Sequence, residues 1–320
     1  MKVNVLFTFG GVKQVANKMQ KLMEMSDDAY KSLQNFDGWT KFLTTAAWQY
    51  KYPFQDQVMI FSQRPDARAC ASLEVWNSSL HRWINKGAKG IALLRRGNDN
   101  QYIDYVFDIS DTNSFYGNEV RLWQYNDRYK EAIIETLENT FGELSDKVSV
   151  IDAVISAAHN AVEDNKADYL SELKYSKYGS FLEELDELNI DVEFQKTAEN
   201  SISFMILERM GYDAFDFFDN EDFPHIMDFN TVETQNILGN AISSISEQAL
   251  REVAQTIRAE NQKIQNASKF FAENQSPEYN ISTDGNKTII ENERNDENGR
   301  IDLQTRGRLS DTEHRTSGEQ

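Results

Sequence analysis

The sequence predicts an α+β fold: helices with a β-hairpin or small antiparallel sheet towards the front, then a mostly helical acidic stretch, then a tail without a core. Three observations carry that expectation. Apolar residues recur at intervals of three and four through Trp39, Phe42, Leu43, Ala46, Ala47 and Tyr50, the stripe of a helix packed on a core. Apolar runs at 91–94 and 102–109 flank Gly97-Asn98-Asp99-Asn100, which has the chemistry of a hairpin turn. Between residues 119 and 233 there are 27 acids against 9 bases, spread over segments of helical periodicity.

In chain order, residues 13–35 read as a charged amphipathic helix with Val15, Met19, Leu22 and Met23 at helical spacing. The short apolar run before it, 3–9, reads as a leader strand or a disordered start. It has no small-residue cleavage site and is far shorter than the ~20 residues of a membrane span. The helix over 39–50 ends at Pro53, because proline pushes the residue before it out of the α region. A short helix is expected at 56–62 and a third at 69–77. Further helices are expected at 127–141, 147–163, 180–188 and 195–210, followed by aromatic acidic loops at 212–223. Thr231 caps a long helix reaching about residue 269. The last ~45 residues cannot bury enough surface to offset chain entropy and are expected to be disordered. These readings divide the chain into a leader helix (1–35), a first domain (36–125), an acidic helical domain (126–270) and a tail (271–320).

The chain has 320 residues, a formal net charge of −19 and one cysteine, Cys70. A single cysteine excludes an internal disulfide and a cysteine-based zinc cluster, and suits a reducing cytoplasm. The segment from Trp39 to Arg96 runs against the general charge. It holds nine bases and three acids, a net of +6, together with four of the five tryptophans. Cations neutralise phosphates and aromatic faces accept unstacked bases, so this mixture points to a single-stranded nucleic-acid site. The distant acids do not oppose it, since exposed charges are screened within ~10 Å at ordinary salt.

Residues 39–112 also carry an ordered set of motifs: Trp39-x-x-Phe42-Leu43; Tyr50-Lys51-Tyr52-Pro53-Phe54-Gln55-Asp56-Gln57; Gln63-Arg64-Pro65-Asp66-Ala67; Trp76-Asn77; Lys86-Gly87-x-Lys89-Gly90-Ile91; and Val106-Phe107-Asp108-x-x-Asp111-Thr112. This string resembles the amino-terminal region of the very large helicase and methylase proteins of conjugative elements. That region is in turn similar to the single-stranded-DNA-binding domain of ArdC-type antirestriction proteins. The resemblance implies strand contacts by Trp39, Tyr52, Phe54, Gln57, Gln63, Arg64, Lys86 and Lys89. Arg82 and Trp83, on the approach to the same turn, join them on composition. Each has a bland alternative: a core position for the aromatics, and an ion pair with Asp66 for Arg64.

In ArdC-type proteins a zincin-like domain with a His-Glu-x-x-His helix follows. Here the comparable place is Ala157-Ala158-His159-Asn160-Ala161-Val162-Glu163, with Glu199 downstream. His159 and Glu163 share a helix face, and by analogy Glu199 is the third candidate ligand. Asn160 stands where a general base belongs and cannot accept a proton at neutral pH. The resemblance therefore implies a degenerate zincin scaffold, with no catalytic residue, resident metal or cofactor expected. Phosphate-loop, dinucleotide-binding and nucleophile-elbow motifs are absent from the sequence.

The leading expectation is a cytoplasmic, non-enzymatic single-stranded-DNA-binding module of a conjugative or other mobile element. It would serve strand protection or antirestriction, with host restriction or conjugation proteins as further partners and no membrane association. The tail at 306–311 resembles the linker that follows this region in the large relatives. The alternative is an acidic DNA mimic, in which the −18 section at 119–233 occupies a host DNA-binding protein. A zinc metallopeptidase is the third reading.

Overall fold

A computed structural model describes residues 9–96, 101–114, 117 and 119–274, with side chains for 17–270 of these. The leader run expected as a strand or a disordered start, apart from Phe9, which begins α1, the turn residues 97–100 and the tail from 275 lie outside the described residues. The fold is α+β, and among the described residues the strands fall in the first part of the chain.

The order of elements is α1 (Phe9–Ser32), α2 (Phe36–Trp48), α3 (Phe54–Gln63), β1 (Cys70–Ser72), β2 (Trp83–Ile84), β3 (Ile91–Arg96), β4 (Gln101–Asp108), β5 (Thr112–Asn113), α4 (Lys130–Phe141), α5 (Val150–Ser176), α6 (Glu187–Met210) and α7 (Val232–Asn274). Local chemistry fixes the ends. The Asn35 side chain accepts from the Gly38 N–H to start α2. Ser149 and Asp152 form a reciprocal capping box on α5, and Asp186 caps α6. Gly211, at φ +97, supplies the left-handed residue that ends α6. The expected Thr231 cap is present, its hydroxyl accepting from the Thr234 N–H at 3.2 Å.

β3 and β4 form the expected hairpin, antiparallel with Ile91 opposite Val106 and Arg96 opposite Gln101. β1 pairs with the other side of β4, giving the order β1-β4-β3, and β2 pairs with β5 in a separate two-stranded ribbon. The helix expected at 69–77 is replaced by β1 and a single π-turn over Val75–Ser79. The cause is non-local: the Asp108 carboxylate accepts from the Arg68 and Ala69 N–H groups at 2.7 and 2.9 Å, drawing the segment against β4. Residues 181–184 form only a 3-10 turn, because Leu185 is extended and Asp186 begins α6 there.

The largest core does not divide at residue 125. Trp39, Phe42, Leu43, Tyr50, Phe54 and Val58 are buried in the same cluster as Ile133, Leu137, Ala157, Phe194, Phe204, Leu238 and Val253. Gly239 of α7 lies against the Phe54 ring so closely that a Cβ there would sit 2.3 Å from it. A second cluster packs α3 on the sheet through Met59, Ile60, Leu93 and Val106. No helix among the described residues is long and apolar enough to cross a membrane.

Candidate nucleic-acid interface

The residues expected to contact a strand fall into three groups. The first is internal. Trp39 and Phe54 are 0 % exposed and Gln57 is 1 % exposed, so none offers a face to solvent. Trp39 donates its indole N–H to Ser201 Oγ at 2.9 Å, and Gln57 Nε2 donates to the Gln49 carbonyl at 3.2 Å. The same apolar spacing that marked α2 as packed places Trp39 inside. For these three, packing takes precedence over stacking.

The second group is partly exposed but fastened. Tyr52 donates its hydroxyl proton to the Cys70 carbonyl at 2.8 Å, and burial pushes both that phenol and the Cys70 thiol well above their ordinary ranges. Gln63 spans α3 and the edge of β3, its amide donating to the Ala92 carbonyl and accepting from the Ala92 N–H, each at 2.9 Å. Arg64 is held by Asp111 at 2.9 Å, Asp66 at 3.2 Å and Ser110 at 2.7 Å. Arg82 clasps β5 through the Thr112 hydroxyl at 2.7 Å and the Thr112 carbonyl at 3.1 Å.

The third group faces solvent. Trp83 is 43 % exposed, and Lys86 and Lys89 are exposed on the β2–β3 loop, either side of Gly87 at φ +90. Nothing lies within 4 Å of the place a Gly87 Cβ would occupy, so a backbone can approach there. The zinc analogy does not assemble. His159 Nδ1 lies 2.9 Å from Glu199 Oε1, but Glu163 turns to Lys166 at 2.8 Å.

A groove of about 500 Å³, within the range of ligand-holding clefts, starts at Ser79–His81, just before β2 in the chain. Its walls are Ser79–His81, the strap 119–124, the Arg128–Tyr129 turn before α4, and the far part of α7 from Ala254 to Gln265. Arg121, Arg128 and Arg258 line it against a single carboxylate, Glu119. Arg121 reaches that carboxylate at 3.6 Å. Trp123 supplies a half-buried ring, Tyr129, 2 % exposed, offers no free ring face, and Asn261, Gln262 and Gln265 supply amides. Tyr129 donates to Asn261 Oδ1 at 2.7 Å, and Arg128 bonds both groups and lies 4.6 Å over the Tyr129 ring. His81 sits at φ +51, an uncommon conformation for a residue with a Cβ.

A buried cation braces the strap from behind. Arg209, 2 % exposed, lies 3.6 Å over the Trp123 ring and 4.5 Å over the Trp48 ring, and donates to the Trp123 carbonyl at 3.1 Å. Arg68 lies 4.4 Å over the same Trp48 ring. The groove is hidden in the sequence because Arg121 and Arg128 fall within the acidic section 119–233, and nothing in the order of residues brings Arg258 to them. Arg209 left one signal, a lone cation within the apolar run 204–210.

A guanidinium-lined cleft with one half-buried ring and several amides can hold a phosphate by paired N–H donors and a base by stacking. Comparison of the chain with protein-family models, curated proteins and solved structures finds no match.

Proposed function

We propose that this chain binds single-stranded nucleic acid through the arginine-lined groove, with the Trp83–Lys89 loop as its approach. One observation carries the reading: the groove sets Arg121, Arg128 and the half-buried Trp123 ring, from one short stretch, against Arg258 of α7, in a chain whose net charge is −19. Phosphates would lie against Arg121, Arg128 and Arg258, bases would stack near Trp123, and the α7 amides would meet base edges. Lys86 and Lys89 would add attraction from outside the cleft. The role in conjugative transfer or antirestriction rests on the resemblance of residues 39–112 and belongs to the same proposal.

Fluorescence anisotropy with a labelled oligonucleotide at two salt concentrations tests it. Binding should weaken steeply with salt, and Arg121→Ala/Arg258→Ala should lose at least tenfold in affinity with an unchanged melting curve. Lys86→Ala/Lys89→Ala should lose less and lower the salt slope. Absence of binding at low salt, or equal affinity in the arginine variant, rejects the groove. Capture of a DNA-binding enzyme that survives both variants and is lost when the acids at 183–187 are neutralised would favour the mimic instead.

A further inference from the structure

Away from the groove, α6 and the turn leading into α7 bring a carboxylate, an imidazole and a second carboxylate together. Glu193 of α6 is 9 % exposed, and its Oε1 lies 3.5 Å from His225 Nδ1. Asp228 Oδ2 lies 3.2 Å from the same nitrogen. One donor atom from each of the three residues lies within 4.8 Å of the other two.

The imidazole does not complete this arrangement. His225 Nδ1 carries at most one proton, shared between two carboxylates, and Glu193 Oε2 is left buried without a hydrogen-bond partner. Thr197, one turn further along the same face of α6 and 1 % exposed, also has a hydroxyl without a partner. An orphan oxygen on a carboxylate so withdrawn from water is costly, and a cation relieves it.

The spacing suits a small one. Ligands ~2.0–2.1 Å from a tetrahedral zinc stand roughly 3.3–3.4 Å apart. Two edges of the triangle already measure 3.2 and 3.5 Å. The backbone beneath is firm, since Glu193 sits within α6 while Ile226 and Phe229, 2 % and 0 % exposed, anchor the turn that carries His225 and Asp228. The His225 and Asp228 side chains are 35 % and 24 % exposed, which leaves an entry path and room for a water as fourth ligand.

We propose that Glu193, His225 and Asp228 form a binding site for one divalent transition-metal ion, zinc by its mixed nitrogen and oxygen donors. The site is distinct from the His159–Glu199 pair.

The test uses the full chain, stripped with a chelator and titrated with Co²⁺ and then with competing Zn²⁺. One equivalent of Co²⁺ should give the visible bands of a low-coordinate ion, displaced stoichiometrically by Zn²⁺. His225→Ala and Glu193→Gln should each bind at least tenfold more weakly while the metal-free proteins keep the circular dichroism of the parent. His159→Ala should bind as the parent does. No stoichiometric binding by the parent chain, full binding by His225→Ala, or loss of binding in His159→Ala would overturn the assignment.

Discussion

Trp39 donates its indole N–H to the hydroxyl of Ser201, joining α2 to α6 across 162 positions of chain. Both residues are 0 % exposed. Trp39→Phe should therefore lose about 1–3 kcal/mol, from the stranded hydroxyl and the smaller ring, and Trp39→Ala about 3–5 kcal/mol. Urea unfolding followed by circular dichroism measures both. An oligonucleotide-binding defect without a stability defect in Trp39→Phe would contradict the structural role.

Gln63 acts as a one-residue strand on the free edge of β3, exchanging two hydrogen bonds with Ala92. Gln63→Ala leaves both Ala92 groups without these partners and should cost about 1–3 kcal/mol. Faster amide exchange at Ala92 with little change at Tyr105 would locate the loss at that edge.

Asp56 is 4 % exposed and receives Arg95 Nη1 on both carboxylate oxygens at 2.6 Å. Burial nevertheless holds its carboxyl above the ordinary 3.8, with Arg95 pulling the other way. Between 3.8 and that raised value the folded chain binds more protons than the unfolded one, so the contribution of Asp56 to stability falls as pH rises through the window. Arg95→Met removes the opposing pull and moves the upper limit higher. The variant should be about 3 kcal/mol less stable than the parent at pH 7, and the gap should narrow on acidification towards pH 5. Urea midpoints at the two pH values check the sign; a widening gap would refute it.

Gly239→Ala drives a methyl into the Phe54 ring, itself 0 % exposed and hemmed by Tyr30, Trp39 and Phe42. The ring has nowhere to retreat, so overpacking should cost about 1–3 kcal/mol despite the better helix propensity of alanine. Pairing it with Phe54→Leu should recover part of that loss in a double-mutant cycle.

What was legible in the sequence was local. The α2 stripe of Trp39, Phe42, Leu43, Ala46 and Ala47 is buried as its spacing predicts, and β3 and β4 pair as their alternation and turn residues predict. β1 was hidden because three residues carry no period, and the side chain that recruits them, Asp108, lies nearly forty positions away. The exposure of Lys86 and Lys89 could be anticipated from their glycines, whereas the burial of Phe54 depended on Gly239, which no nearby pattern announces. The groove was the least legible feature, since its walls come from three stretches, 79–81, 119–129 and 254–265, separated by long intervals of chain.

At 43 residues, α7 is about 65 Å long. Its buried stripe of Leu238, Ala241, Ile245, Leu250 and Val253 ends at Ile257, and the next residue, Arg258, already belongs to the groove. The wall of the cleft is thus a cantilever, stiff only as far as the clamp behind it extends. An occupant that grips Arg258 and Asn261 props the beam at its root, and slower amide exchange from 258 to 265 would register that propping before any change of shape.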